Sequence, residues 1–295
     1  VNGERSSRKR LSAIHNQLLC PSPYSALIVT IALEAQQHLG VIKPKANRLE
    51  RRLSNLQFKQ LGIKMQPLSK LDHLLESFLI QRKLKRTFRL MANCGIDIDS
   101  VYDIGANKGR WTKTMKRMLP KAHFFMFEAN EAHREKLASR GHPFFIGVLA
   151  ASEESRVFFT NDGTGDSLYR ENTRHYNDNH VRDVQTKTLS SVVLTHNLPK
   201  PAFVKLDVQG AEIDILKGSG SVLDNCHLVF MECPLLEYNI NAPTIQTYIS
   251  HMQGIGFLPL HILEQHIING ALTQFDILFI RKSTQDIVFG SSSNN

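Results

Sequence analysis

Cysteine is scarce in this 295-residue chain: Cys20, Cys94, Cys226 and Cys233 are the only four, and none forms a CxxC pair. That excludes a dense disulfide framework and a cysteine-rich zinc module, and it fits a reducing compartment. Long apolar runs are also missing. The longest near the N-terminus covers residues 26–33 and is broken by Glu34, far short of the roughly 20 residues that span a bilayer. Arg5, Arg8, Lys9 and Arg10 precede it, but Pro21 and Pro23 interrupt the approach and no small-x-small cleavage site follows. A secretory signal is therefore not expected, and a cytoplasmic protein is. There is no GxGxxG and no GK[ST] loop, which argues against both a dinucleotide fingerprint and a Walker-type phosphate cradle.

What is present is ordinary globular composition, 42% hydrophobic and 21% charged, on a chain long enough to bury its own core. The net charge of +9 is uneven. Residues 1–99 hold 17 Lys/Arg against 7 Asp/Glu, and residues 100–295 hold 19 against 20. The neutral part has no electrostatic reason to hold nucleic acid. The organisation expected is a basic, mainly helical N-terminal extension over 1–95, a catalytic domain over 96–283 and a flexible tail over 284–295. The apolar residues Leu71, Leu74, Leu75, Phe78, Leu79, Leu84, Phe88 and Met91 fall at helical spacing and predict a helix over 68–93 that Gly95 stops. Its Lys/Arg residues read as a solvated face.

Beyond Gly95, short apolar runs alternate with helical patterns. Strands are expected near 100–104, 123–127, 143–149, 202–206 and 227–232, with a hairpin element at 156–160. Two extended runs, 258–263 and 275–281, flank Asn269-Gly270 and predict a terminal antiparallel hairpin. The fold class expected is α/β: a Rossmann-like, doubly wound, mostly parallel sheet. In such a sheet a ligand sits beyond the carboxyl ends of the strands, where the strand order reverses.

Three segments carry chemistry. In the first, the strand at 101–104 runs through Asp103 into a turn flanked by Gly105 and Gly109, where glycine permits close backbone approach. An acidic residue before that turn disfavours a phosphate and favours a cationic or hydroxyl-rich ligand. S-adenosylmethionine, with an α-ammonium and a ribose, is such a ligand; a plain strand-turn-helix joint is the bland alternative. In the second, Glu128 ends the next strand, where a carboxylate can accept both ribose hydroxyls, or else cap a helix with Asn130 and Glu131. In the third, Lys205, Asp207, Gly210 and Glu212 cluster at the end of the fourth strand. Lys205 and Asp207 share one strand face. Either Asp207 serves as a general base, with Glu232 the second candidate, or it pairs structurally with Lys205 while Glu212 favours its helix N-terminus.

Taken together, DIGANKG at 103–109, FEAN at 127–130 and KLDVQGAEIDILKG at 205–218 resemble the FkbM family of S-adenosylmethionine-dependent methyltransferases. The resemblance covers roughly residues 96–283. It implies a cofactor site of Asp103, Gly105, Ala106, Asn107, Gly109, Glu128, Ala129 and Asn130, with Asp103 and Glu128 gripping the amino-acid and sugar ends of the donor. It implies a catalytic group of Asp207, Glu232 and Lys205. The polar segment 161–168 resembles the family's acceptor segment, giving Asn161, Asp162 and Ser167 as substrate contacts together with Glu212. Ala129 stands where the family has proline, and Asp166-Ser167 replaces a pair of serines. Tyr169 and Tyr176 lie in the same polar loop.

The activity implied is O-methylation of a hydroxyl on a sugar, glycolipid or natural product, with a small-molecule or glycan acceptor as partner. The alternative is a non-catalytic interaction module on this fold, whose basic N-terminal segment docks to an acidic partner or contacts a membrane surface peripherally. His175 and His180, with Asp178 and Asp183, lie in a polar stretch that reads as an exposed loop, and no metal site is assigned.

Overall fold

The computed structural model describes residues 68–160, 165–171, 181–236, 239–268 and 271–290. The basic segment at 1–67, and with it most of the expected N-terminal extension, lies outside the described residues, as do Asn161, Asp162, Tyr176, His175 and His180. All the packing described here falls within the unit Asp72–Asn295.

Helix α1 (Leu68–Asn93) ends at Gly95, whose φ of +76° closes it. The main sheet follows as β1 (Ser100–Ile104), β2 (His123–Glu128), β3 (Phe144–Ile146), β6 (Phe203–Leu206), β7 (Leu228–Pro234), β8 (Phe257–Ile268) and β9 (Ala271–Arg281), in the order β3-β2-β1-β6-β7-β9-β8. Strands β3 to β7 in that order run parallel, and β9 and β8 add an antiparallel hairpin beside β7. This is the expected class. Helices α2 (Arg110–Met118), α3 (Arg134–Ala138), α4 (Leu189–Thr195), α5 (Glu212–Lys217), α6 (Ile245–Gly254) and α7 (Lys282–Phe289) complete the layers. A separate antiparallel pair, β4 (Ser155–Phe159) with β5 (Val181–Gln185), stands over the carboxyl ends of the parallel strands.

The central strands are buried on both faces, so β1 and β6 carry no polar alternation, and every residue of each is inside. One face packs Tyr102, Phe127, Val204 and Phe279 against residues of α4, α5 and α6. The other packs Val101, Phe124, Phe203 and Ile280 against Leu84, Phe88 and Met91 of α1. Leu84, Phe88 and Met91 of α1, which precede the boundary expected at residue 95, are therefore part of this core. Phe78 and Leu79 of the expected stripe are exposed. Helix α7 overlaps the first part of the tail expected over 284–295 and buries Thr284. No described helix is long and apolar enough to cross a membrane.

The order of strands reverses between β1 and β6. Beyond that point lies a crevice open to solvent.

Candidate active site

Four elements wall the crevice. The ends of β1 and β2 supply Ile104, Gly105, Phe127, Glu128 and Ala129. The stretch after β3 supplies Gly147, Val148 and Leu149, and the strap after β4 supplies Asp166, Ser167 and Leu168. Val208, Ala211 and Ile215 close the far side. The walls are largely apolar, and two carboxylates, Glu128 and Asp166, line them.

Glu128 is fixed from two sides. Asn107 N donates to Oε2 at 2.5 Å and Asn130 N donates to Oε1 at 2.8 Å. Its Oε1 also lies 3.7 Å from Nδ1 of the buried His133. A carboxylate has about four acceptor sites, so both oxygens keep capacity for hydroxyl donors. Asn107 can present its amide there because its backbone takes φ +50°, a left-handed conformation that asparagine tolerates better than most residues. Asn130 caps the short 3₁₀ turn Glu131–His133 through Ala132 N, and its Nδ2 donates to Asp166 Oδ2 at 2.7 Å. It thus joins the β2 edge to the strap.

The glycine turn has a different reason from the one expected. Gly105 has φ +73°, and a Cβ there would lie 1.9 Å from the Asp207 carbonyl oxygen. The glycine lets the β1 and β6 loops cross, and the residue also lines the crevice. At Gly109, φ +64°, a Cβ would meet Arg140 Cγ at 2.9 Å. Ala106, Asn107 and Gly109 form the back of this turn rather than the crevice wall.

Asp103 corrects the expectation most clearly. Its side chain is 0% exposed. Oδ2 accepts from Thr112 Oγ1 at 2.6 Å, and Oδ1 lies 3.3 Å from Lys205 Nζ. The parallel register pairs Asp103 with Lys205, so the two side chains stand side by side beneath the turn, and Asp103 does not reach the crevice. Lys205 is equally sealed. Its ammonium contacts Asp103, Asp207 Oδ2 at 3.2 Å and the Gly105 carbonyl at 2.9 Å. Burial alone would lower the Lys205 pKa, but the neighbouring Asp207 and Asp103 outweigh it and hold it above the usual lysine value. Its ammonium thus joins the β1 turn to the end of β6.

Glu212 is 1% exposed, and it accepts from Val208 N and Gly210 N at 3.0 Å each and from Tyr248 Oη at 2.5 Å. Both oxygens accept from amides of the β6–α5 loop. Burial is the main cause that pushes its carboxyl above the ordinary range. Tyr248→Phe removes the hydroxyl donor and is expected to cost about 1–3 kcal/mol, read as a lower midpoint in thermal melts. An unchanged midpoint would show that the bond contributes nothing. Ser167, expected at the acceptor, is 2% exposed. Its Oγ donates to the Gln209 carbonyl at 2.8 Å and accepts from Tyr169 N at 3.0 Å, which pins the strap to the β6 loop beside the crevice.

Asp207 and Glu232 do come together. The Asp207 side chain is 39% exposed at the carboxyl end of β6. Glu232 lies on β7, and Gln209 bridges the pair, donating from Nε2 to Glu232 Oε2 at 2.9 Å and to Asp207 Oδ1 at 3.3 Å. Burial first, then the charges of Asp207, Asp276 and Glu212, push the Glu232 carboxyl well above its usual range. Gln209 was not singled out from the sequence. It holds φ +56°, and a non-glycine residue in that region persists only where its surroundings enforce it. Here the Ser167 and Asn239 side chains both donate to its carbonyl.

The sequence and the fold were compared with known proteins. No protein with a curated description matches the sequence. Among solved structures, an FkbM methyltransferase from Methylobacillus flagellatus KT aligns with TM-score 0.39 and 10% identity over 62% of this chain and 43% of that one. A precorrin-6y C5,15-methyltransferase from Geobacter metallireducens GS-15 aligns with TM-score 0.36 and 12% identity over 68% and 88%. A magnesium protoporphyrin IX methyltransferase from Synechocystis PCC 6803, solved with bound SAM, aligns with TM-score 0.39 and 8% identity over 76% and 89%. The sequence profile described as "Methyltransferase FkbM domain" matches residues 103–262, from the first buried carboxylate to the middle of β8. That span is more than half of the 295 residues, and the chain accordingly belongs to the FkbM family of S-adenosylmethionine-dependent methyltransferases.

Proposed function

We propose that the protein methylates a hydroxyl group on a sugar, glycolipid or related natural product. The observation that carries the reading is Glu128: a carboxylate at the tip of β2, aligned by two backbone N–H groups, on the wall of an apolar crevice at the reversal of strand order. Such a carboxylate suits a ribose diol, and the walls formed by Phe127, Val148, Leu149 and Ile215 suit a flat base. Bound S-adenosylmethionine supplies a methyl group already activated on sulfonium.

The protein then has three tasks. The first is to orient, and the strap at 165–171, tied to Asn130 and Gln209, holds the crevice wall. The second is to exclude water, which Phe158 of β4 and Leu168 of the strap favour by being buried over the crevice. The third is to receive the acceptor's proton. Asp207, half-exposed and steadied by Lys205 and Gln209, is placed for that. Alignment and proton removal together supply the catalysis.

The test is incubation with methyl-labelled cofactor and fractionated glycans and lipids, read by mass spectrometry. The expected result is label in a hydroxyl-bearing product, lost in Asp207→Asn while cofactor binding is kept. Label only on nitrogen, or turnover by Asp207→Asn at the wild-type rate, would overturn the respective part of the reading.

A further inference from the structure

Beside Asp207, and outside the cofactor crevice, three side chains from three adjacent strands converge. They are Glu232 of β7, Asp276 of β9 and His266 of β8, and one donor atom of each lies within 4.8 Å of the others. The strand register makes this meeting obligatory. Glu232 and Asp276 are direct partners across the β7/β9 ladder, and β8 carries His266 alongside the same stretch of β9. Like charges directly opposite on neighbouring strands destabilise a sheet. Among the described residues neither carboxylate has an ion pair with lysine or arginine. Asp276 faces His266 Nε2 at 3.2 Å.

The surroundings are those of a ligand set. Asp276 is 7% exposed, so its charge is held away from water. Amide donors orient both carboxylates: Gln209 Nε2 on Glu232 at 2.9 Å and Gln274 Nε2 on Asp276 at 3.3 Å. Thr273 Oγ1 donates to the His266 carbonyl at 2.9 Å and fixes that stretch of β8. Outer hydrogen bonds of this kind hold metal ligands in position. One imidazole nitrogen with two carboxylates matches divalent ions that accept mixed nitrogen and oxygen donors, leaving positions for water or substrate.

We propose that Glu232, His266 and Asp276 bind one divalent cation of the manganese or zinc class at the acceptor end of the sheet. This goes beyond the methyl-transfer reading. On that reading, the cation also lowers the pKa of a nearby acceptor hydroxyl and so eases its deprotonation.

The test needs no acceptor. The whole 295-residue chain, free of any affinity tag and stripped with chelator, is titrated with Mn²⁺ alone, followed by loss of the free-ion electron paramagnetic resonance signal. It is titrated separately with Zn²⁺ alone by calorimetry. One saturable equivalent of at least one ion is expected. His266→Ala and Asp276→Asn should each weaken it at least about tenfold, and His123→Ala, an exposed histidine on β2, should not. Asp276 is buried and its variant is checked by melting. His266 is partly exposed, so its variant decides the matter if Asp276→Asn fails to fold. Absence of saturable binding of either ion, or equal binding by His266→Ala, overturns the site. S-adenosylhomocysteine is titrated into the same stripped sample. Retained binding of that ligand without metal binding overturns the cation site and leaves the methyltransferase reading intact.

Discussion

Lys205→Met is expected to lower the stability of the fold by about 3–5 kcal/mol, the cost of leaving a buried partner charge uncompensated. The stem of methionine fills the same space, so packing changes little. What changes is Asp103, 0% exposed, which loses the ammonium 3.3 Å away and keeps only the Thr112 hydroxyl. The Gly105 carbonyl loses its donor as well. At 2–4 °C per kcal/mol for a domain of this size, the midpoint should fall by on the order of 10 °C. Adding Asp103→Asn to Lys205→Met should recover part of the loss, because the buried charge is then gone. A midpoint within about 2 °C of wild type for the single variant would show that the ammonium is not clamping the two loops.

Glu128→Ala is expected to weaken binding of S-adenosylhomocysteine at least about tenfold in calorimetry, the loss of charge-assisted hydrogen bonds to a ribose. Part of the effect is indirect. The carboxylate also holds the Asn107 and Asn130 amides, so its removal loosens both the glycine turn and the β2 edge that carry the crevice. Glu128→Asp helps to separate the two contributions. It keeps the charge but shortens the reach, and binding should fall while the melting midpoint stays close to wild type. Wild-type affinity in Glu128→Ala would remove this residue from the site.

The parts of this site that could be read from the sequence are those written along one strand and its turn. Asp103 to Gly109, Glu128 to Asn130 and Lys205 to Gly210 each lie within one strand end and its loop, so period-two geometry and turn chemistry suffice to place them. The direction in which a buried polar side chain points is harder to read. Asp103, Lys205, Ser167 and Glu212 were expected to face ligands, yet each is turned to a protein partner. A linear pattern does not reveal whether a loop amide or a neighbouring strand will claim a carboxylate first. Sites made across strands were not legible at all. Glu232, Asp276 and His266 are widely separated in sequence and meet only through the β7/β9/β8 register. Strand β5 and helix α4 were likewise missed: β5 is exposed along almost its whole length, and α4 is a single short stretch of seven residues. Helix α1 was legible in extent, and Leu84, Phe88 and Met91 are the residues it turns to the core.

The central claim is that the crevice at the strand-order reversal holds S-adenosylmethionine with Glu128 at its ribose. Calorimetric titration of the wild-type chain with S-adenosylhomocysteine and, separately, with NADH tests it most directly. The account predicts one saturable equivalent of the first and no heat from the second. Binding of NADH, or no binding of S-adenosylhomocysteine by well-folded protein, would contradict it.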